Sequence, residues 1–534
     1  MSYLTDPFAV PEQLVPAPAP RARAGALGAT GADDSDGADA ARPRAGRAAT
    51  GGPASGGRHA ATTQQRDATL DRGEAEETNR RDGDAAGDAR DLRDPRDASD
   101  ARDTSGASGA SGARVTSDVK DDAGETHDGG ETNDARPAPV VLTSPAGGIP
   151  EVVEDEHRLL EAAEALAAGH GPLAIDAERA SGYRYGQRAY LVQVRREGSG
   201  TWLLDPVGCP DLEPVQRATD GVEWILHAAT QDLGCLRGVG LSPTSLFDTE
   251  LGARLAGLPR VGLAAVLEHY LDVSLAKEHS AVDWSTRPLP RDWLNYAALD
   301  VECLAAVREA MIEDLAAQGK LEWARQEFEA LTSFTGHATR PDPWRRVSGM
   351  RRLRSPRAAA VLRELWYTRD DLARDRDVSP GRIVPDSVLG VLATATPRTA
   401  AEVTAASTHR TIGRHPEVWA KAVTRALDLP ESDLPPTTLP STGPPAPRSW
   451  ADKDPVAAAR LAAAKDDLTA FAEEHRLPLE NVLTPDTLRR VVWTPPEQHD
   501  EGTLHDALTA LGARRWQADI AAPVLARAFA TAQP

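Results

Sequence analysis

The sequence predicts an α/β domain followed by two small all-α domains, behind a low-complexity N-terminal tail. Three observations predict it. First, GPLAIDAE, RAYLVQVRR and TWLLDPV are apolar runs of strand length separated by turn residues, and alternating helix and strand patterns follow them. Second, past about residue 340 the strand patterns stop and helical periodicity takes over. Third, residues 14 to about 140 are Ala, Gly, Asp, Arg, Ser and Thr with almost no large apolar side chain.

That first segment cannot bury enough apolar surface to offset the entropy of ordering it, so residues 1–140 are expected to be a disordered tail. A solubilising extension explains it more simply than a partner-binding arm. From about 141 the composition turns globular. APVVLTSPAGGIPEVVEDEHRLLEAAEALAAG reads as a short strand, a loop and an amphipathic helix closing at Gly169. The three strands follow. DGVEWILHAATQDLGCL reads as a strand entering a helix. TELGARLAG, GLAAVLEHYL and RDWLNYAALDVECLAAVREAMIEDLAAQG read as helices, the last one continuous to Gly319. The α/β domain is bounded at 141–335. A helical domain spans 341–429, LPESDLPPTTLPSTGPPAPRSW makes 430–450 a Pro-rich linker, and 451–534 is helical again. RDDLARDRDVSPGRIVPDSVLGVL and KDDLTAFAEEHRLPLENVLTPDTLRRVV share a pattern of charged helix, proline, Pro-Asp and apolar helix, which reads as an internal duplication.

No apolar run is long enough to cross a bilayer, and MSYLTDPFAVPEQ lacks a basic region leading into an apolar one, so the expectation is a soluble, cytoplasmic protein with no membrane partner. Cys209, Cys235 and Cys303 show no zinc spacing and read as buried reduced thiols. The formal charge of −21 taken alone argues against a phosphate-bearing partner. The charge is segregated, however. TRPDPWRRVSGMRRLRSPR carries Arg340, Arg345, Arg346, Arg351, Arg352, Arg354 and Arg357 against one acid, Asp342. A solvated linker is the plain explanation; the imbalance within an acidic chain favours nucleic acid, with each arginine neutralising a backbone phosphate.

The chemistry centres on Asp176 and Glu178. Residues two apart on a strand point to one side, so these carboxylates project together. They repel unless a cation lies between them, and hard oxygen ligands suit Mg²⁺ or Mn²⁺ rather than zinc. For the pair alone, two solvated acids at a strand end would suffice. Asp232 lies where a strand passes into a helix, a position that favours an acid without any metal. Tyr296 and Asp300 are four apart on one helix face, close to its apolar side, and an acid there needs a partner.

The order Asp-x-Glu, His-x(4)-Asp-Leu and Tyr-x(3)-Asp, with YRYGQRAYLVQV, LLDPVG, LFDTELGARLAG and LAKEHSAVDWSTRPLPRDWLNYAALDVECL between and around, resembles the DEDDy 3′–5′ exonucleases of the RNase D type. The resemblance covers roughly 145–335. The first helical unit resembles the helicase-and-RNase-D C-terminal (HRDC) domain, and the second does so more loosely. Ala177 stands where the family commonly has Thr. The resemblance implies an RNase H-like fold with a mixed sheet flanked by helices. It also implies two divalent metal ions and hydrolysis of single-stranded RNA 3′ ends to nucleoside 5′-monophosphates, with tRNA precursors or stable RNA as substrates and a monomer as the default state. By the same resemblance Asp176 bridges the metals, Glu178 and Asp300 complete the water-holding site, Asp232 supports the second metal through water, and Tyr296 orients the nucleophile or helps deprotonate it.

Lys277 and Arg287 are candidates for phosphate contact, though surface cations usually have no such role, and Gln231 either contacts substrate or simply occupies the first turn of its helix. His227 reads better as a helix-entry or core residue than as a catalyst, and Trp284 as core at least as well as a base-stacking ring beside Tyr183 and Tyr185. A DNA exonuclease and a non-catalytic nucleic-acid-binding protein are the alternative functions. A helicase is disfavoured because no phosphate-binding Gly-rich loop ending in Lys-Ser or Lys-Thr is found.

Overall fold

The structure, a computed structural model, describes residues 139–275, 282–336, 341–439 and 443–532. The expectation of a disordered tail, and Lys277 and Arg340 among the candidate cations, lie outside the described residues.

Eight strands are described: β1 (Val140–Leu142), β2 (Val152–Val153), β3 (His170–Arg179), β4 (Ala189–Glu197), β5 (Gly200–Leu204), β6 (Trp224–Leu226), β7 (Leu246–Asp248) and β8 (Val273–Leu275). Six form one sheet in the order β2-β5-β4-β3-β6-β7, while β1 and β8 pair in parallel as a separate ribbon. β3–β4 and β4–β5 run antiparallel; β2–β5, β3–β6 and β6–β7 run parallel. The sheet is therefore mixed, as expected. β3 lies inside it, and Leu173, Ala174, Ile175 and Ala177 are buried.

Helices cover the sheet: α1 (Glu156–Ala168), α2 (Glu213–Ala218), α3 (Leu233–Arg237), α4 (Thr249–Ala256), α5 (Leu263–Leu271), α6 (Arg291–Glu302), α7 (Leu304–Ala317) and α8 (Leu321–Thr332). α1 starts where the Asp155 side chain accepts the Arg158 N–H and stops at Gly169. The single helix expected to run to Gly319 is two, broken at Cys303 (φ −107°, ψ 0°). No Gly or Pro marks the break. α6 buries Ala297, Ala298 and Val301, α7 buries Leu304, Val307, Met311 and Leu315, and the bend lets both stripes reach the core. The three-residue strands β7 and β8 and the helix α8 were not among the expected elements.

Two helical units follow. The first holds α9 (Pro356–Asp375), α10 (Pro380–Ile383), α11 (Asp386–Ala395), α12 (Ala400–Ala406), α13 (Arg410–Arg414) and α14 (Pro416–Leu427). The second holds α15 (Trp450–Lys453), α16 (Pro455–Glu474), α17 (Leu479–Val482), α18 (Pro485–Trp493), α19 (Glu501–Ala510) and α20 (Arg515–Thr531). α9 and α16 have 20 residues each and α10 and α17 four each, and α11 and α18 both begin at a Pro–Asp step.

The units differ in how they are held. The first has its own core, built on Trp344, Leu365, Leu389, Trp419 and Val423. The second shares one continuous core with the α/β domain, from Leu173 through Phe328 to Trp516 and Phe529. Trp323 of α8 stacks on Trp516 at 4.9 Å, and the Trp516 indole N–H donates to Glu327. Lys320 donates to the carbonyls of Leu255 and His475, tying α4 to the turn after α16. Gly257, left-handed at φ 84°, lies so near that turn that a Cβ would come within 2.7 Å of the Arg476 carbonyl oxygen. Cys209 and Cys235 are buried and Cys303 half-buried; all three are free thiols.

Candidate active site

β3 presents Asp176 and Glu178 to one side, as its period requires, and α6, packed on β3, β4 and β5, brings Asp300 to them. Carboxylate oxygens of Asp176, Glu178 and Asp300 lie within 4.8 Å of one another. Asp232, buried at the start of α3, hydrogen-bonds the Asp176 carboxyl group, and Tyr296, one turn before Asp300, hydrogen-bonds Asp300. These five side chains line one cavity of about 400 Å³. Residues far apart in the chain thus converge on one place.

The electrostatics fit a cation. Burial raises the Asp176, Glu178, Asp232 and Asp300 carboxyl groups above the usual carboxylate range. Mutual repulsion adds to this for Glu178, which faces the other three acids. Four acids crowded together cannot all be ionised without positive charge among them. An all-oxygen donor set of this kind matches Mg²⁺ or Mn²⁺ and offers no thiolate or imidazole ligand. Burial and the neighbouring acids also push the Tyr296 hydroxyl up, so it holds its proton at neutral pH and acts as a donor.

Four residues that the sequence did not single out shape the cavity. Gln193 is fully buried and lies opposite Asp176 in the β3–β4 register, with its amide nitrogen 3.4 Å from Asp176 and 3.5 Å from Glu178. The register slips after Glu178, so that Arg179 pairs with Ala189, and the Arg179 guanidinium lies 3.5 Å from Asp232. Asp248 accepts the Ala228 and Ala229 N–H groups as well as those of Glu250 and Leu251. It thereby caps α4 and fixes the turn carrying Asp232, including Ala228 at φ 61°. An Asp just before TELGARLA is a readable cap signal. Thr249 donates to the Leu226 carbonyl, so His227 donates from Nδ1 to Thr249 Oγ1 at 2.9 Å. Burial lowers the His227 pKa to about 4.

Other candidates fall elsewhere. Arg287 is not free for phosphate: it forms a two-pronged pair with Asp205 and donates to the Tyr190 carbonyl, because it is folded inward between strands. Trp284 is fully buried, packed 5.5 Å from Trp293, so it has no face for a base. Tyr183 lies under Arg382, and Tyr185 bonds Asp370 of α9. Gln231 lines the cavity. Arg345 is also engaged: it pairs with Asp342 at 2.8 Å, donates to the Pro436 carbonyl and lies over the Trp344 ring. Arg346, Arg351 and Arg352 are exposed and have no partner among the described residues.

Comparison with known proteins bears on the same architecture. Residues 150–316 match the 3'-5' exonuclease family model, residues 358–411 the HRDC domain, and residues 443–529 the 3' to 5' exonuclease C-terminal domain. The ribonuclease D of Pseudomonas paraeruginosa is 32% identical over 280 residues, spanning 51% of this chain and 73% of that protein. The chain belongs to the ribonuclease D family. The Escherichia coli ribonuclease D is 30% identical over 283 residues, covering 52% of this chain and 74% of that one. Its crystal structure superposes with a TM-score of 0.53 at 26% identity over 68% of this chain and 98% of that one. A protein from Bifidobacterium adolescentis matches with a TM-score of 0.67 at 37% identity, over 73% of this chain and all of that one. As a ribonuclease D family member the chain is a 3′–5′ exonuclease that uses divalent metal, and the acid cluster is where such a metal fits.

Proposed function

We propose that this protein trims RNA from its 3′ ends and releases nucleoside 5′-monophosphates, with two divalent cations, Mg²⁺ or Mn²⁺, held by Asp176, Glu178, Asp232 and Asp300. The observation that carries the reading is the convergence of these four acids and Tyr296 in one cavity. When bound, the cations supply charge neutralisation at the phosphate and a water of lowered pKa. Asp176 would help hold both cations, Glu178 and Asp300 would complete one site, and Asp232 would support the other. Gln193 donates its amide N–H groups toward Asp176 and Glu178 and so sets their orientation. The Tyr296 hydroxyl orients the attacking water, the mark of the y-type subgroup. Arg346, Arg351 and Arg352 contact the RNA backbone, and Lys277 belongs with them by its place in the sequence.

The Escherichia coli relative is described as an exoribonuclease involved in structured RNA processing. That supports transfer-RNA 3′ maturation as the role we propose here; a monomer in the cytoplasm is the accompanying default of this reading. We read residues 341–429 and 451–534, joined by the Pro-rich stretch 430–450, as a duplicated HRDC-like pair. The matching helix lengths support this.

A single-stranded RNA and a DNA of matching sequence, each labelled at the 5′ end, are incubated with Mn²⁺ or with EDTA. Stepwise shortening of the RNA with Mn²⁺ and none with EDTA is expected. Faster shortening of the DNA would replace this reading with a DNA exonuclease.

A further inference from the structure

The arginine-rich lead into α9 does more than form a charged strip. Two short 3-10 turns, Pro343–Arg346 and Met350–Arg352, fold back on the helical unit and bury Trp344 and Met350. Between them and the stretch Thr437–Leu439 lies a cavity of about 620 Å³, wider than the acidic one. This is within the roughly 300–1,000 Å³ of small-molecule sites.

Its parts are sorted by chemistry. The floor is apolar, from Met350 and Leu353, both buried. Arg351 and Arg354 are exposed on the rim with no acidic partner among the described residues. The opposite wall carries the hydroxyls of Thr437 and Thr438 and the side chain of Leu439, which is 46% exposed. Next to that wall, the Pro436 carbonyl accepts a 2.8 Å hydrogen bond from Arg345, which also pairs with Asp342. Arg354 directly precedes Ser355, the N-cap of α9.

Guanidinium groups on the rim suit a phosphate, the apolar floor and Leu439 suit the flat face of a base, and the threonines offer donors and acceptors for its edge. An acidic peptide would satisfy the arginines and leave the floor uncovered. The geometry points to a second nucleotide site: this cavity takes a nucleoside 5′-phosphate unit, with the phosphate on Arg351 and Arg354 and the base over Met350 and Leu353. The unit is either an internal residue of the bound RNA or a free mononucleotide. The inference rests on the exoribonuclease reading for its polymer.

The test uses the full chain with Asp176→Asn, so that RNA is held and not consumed. Single-stranded RNAs carrying one 4-thiouridine at successive positions are photocrosslinked and the attachment sites mapped by mass spectrometry. A thiouridine at the 3′ end is expected to attach near the acidic cavity, and at least one internal position to residues 345–354 or 437–439. Adding Arg351→Glu and Arg354→Glu should cut the internal crosslink by roughly tenfold or more, as loss of two phosphate contacts does, while the 3′-terminal crosslink persists. Suppression of the internal crosslink by millimolar AMP, together with calorimetric binding of AMP alone, assigns the site to the free mononucleotide and also supports it. If the 3′-terminal crosslink forms but no internal position maps to the cavity and AMP does not bind, the second site is overturned and the exonuclease reading stands. If no position crosslinks near the acids, the RNA reading itself fails. Binding of an oligoglutamate peptide in the cavity, with AMP excluded, would also overturn the proposal.

Discussion

The Tyr185 hydroxyl donates a 3.0 Å hydrogen bond to the Asp370 carboxylate, joining the loop that leaves the acid-bearing strand β3 to the first helix of the first helical unit. Asp370 also takes a bond from Arg374, Arg382 lies 4.0 Å over the Tyr183 ring, and Ser379 donates its N–H to the Tyr183 carbonyl. The helical unit is thus clamped to the segment that follows Asp176 and Glu178.

Tyr185→Phe removes one bond to a charged acceptor and leaves Asp370 its arginine. The clamp should weaken by about 1–2 kcal/mol. Amide hydrogen exchange in residues 180–188 and 376–383 should speed up together, with α14 unaffected. Unchanged exchange in both segments would show that the contact carries no energy.

Asp176→Asn should abolish hydrolysis and raise the melting temperature in EDTA, because it removes one of four crowded carboxylates, half-buried or buried, whose ionisation desolvation already opposes. The stabilisation that Mn²⁺ gives the parent should largely vanish in the variant. Melting curves with and without Mn²⁺ check both statements; an equal Mn²⁺ gain in the two proteins would remove Asp176 from the metal site.

Replacing Arg346, Arg351 and Arg352 together with Ala should weaken RNA binding across sequences. The slope of log affinity against log salt should flatten by roughly 0.7 for each lost contact on a single strand. Arg345 is left out because it holds Asp342 and Pro436. Coincident slopes for variant and parent would make the cluster a solvated surface.

Trp516→Ala should destabilise the α/β domain and not just its own helix. It removes the stack on Trp323 and leaves Glu327 without its indole donor. A loss of about 3–5 kcal/mol is expected. Urea unfolding followed through the α/β domain reads it, and an unshifted midpoint there would mean that the two parts are independent.

His227 is held neutral by burial, with its pKa lowered to about 4 in the fold against about 6.5 in the open chain. The unfolded state therefore takes up the proton first. The His227 contribution to stability is present above about pH 6.5 and falls as the pH drops toward 4. The parent should lose more stability over that window than His227→Gln, measured by urea unfolding at each pH. Parallel pH profiles would contradict the burial.

Much of the acid cluster was readable because local periods decide it. Asp176 and Glu178 share a strand face by a spacing of two, and Tyr296 and Asp300 a helix face by a spacing of four, whatever the rest of the fold does. What was not readable depends on distant partners. Arg179 nears Asp232 just past a slip in the β3–β4 register, and Gln193 meets the acids through strand pairing. Arg345 looks like its neighbours in sequence, yet besides Asp342 it binds a carbonyl 91 residues away. The bend at Cys303 carries no Gly or Pro and answers to tertiary packing alone.

The shared core has a consequence for synthesis. Trp323 and Phe328 leave the ribosome long before Trp516 and Phe529 exist to cover them. The first helical unit, with its separate core, is made in the interval and can close on its own. At elongation rates of about 5–20 residues per second, the nascent α/β domain shows an apolar flank for on the order of ten seconds or more. During that time it is a client for chaperones, and a ribosome stalled after the first helical unit would release a chain prone to aggregate.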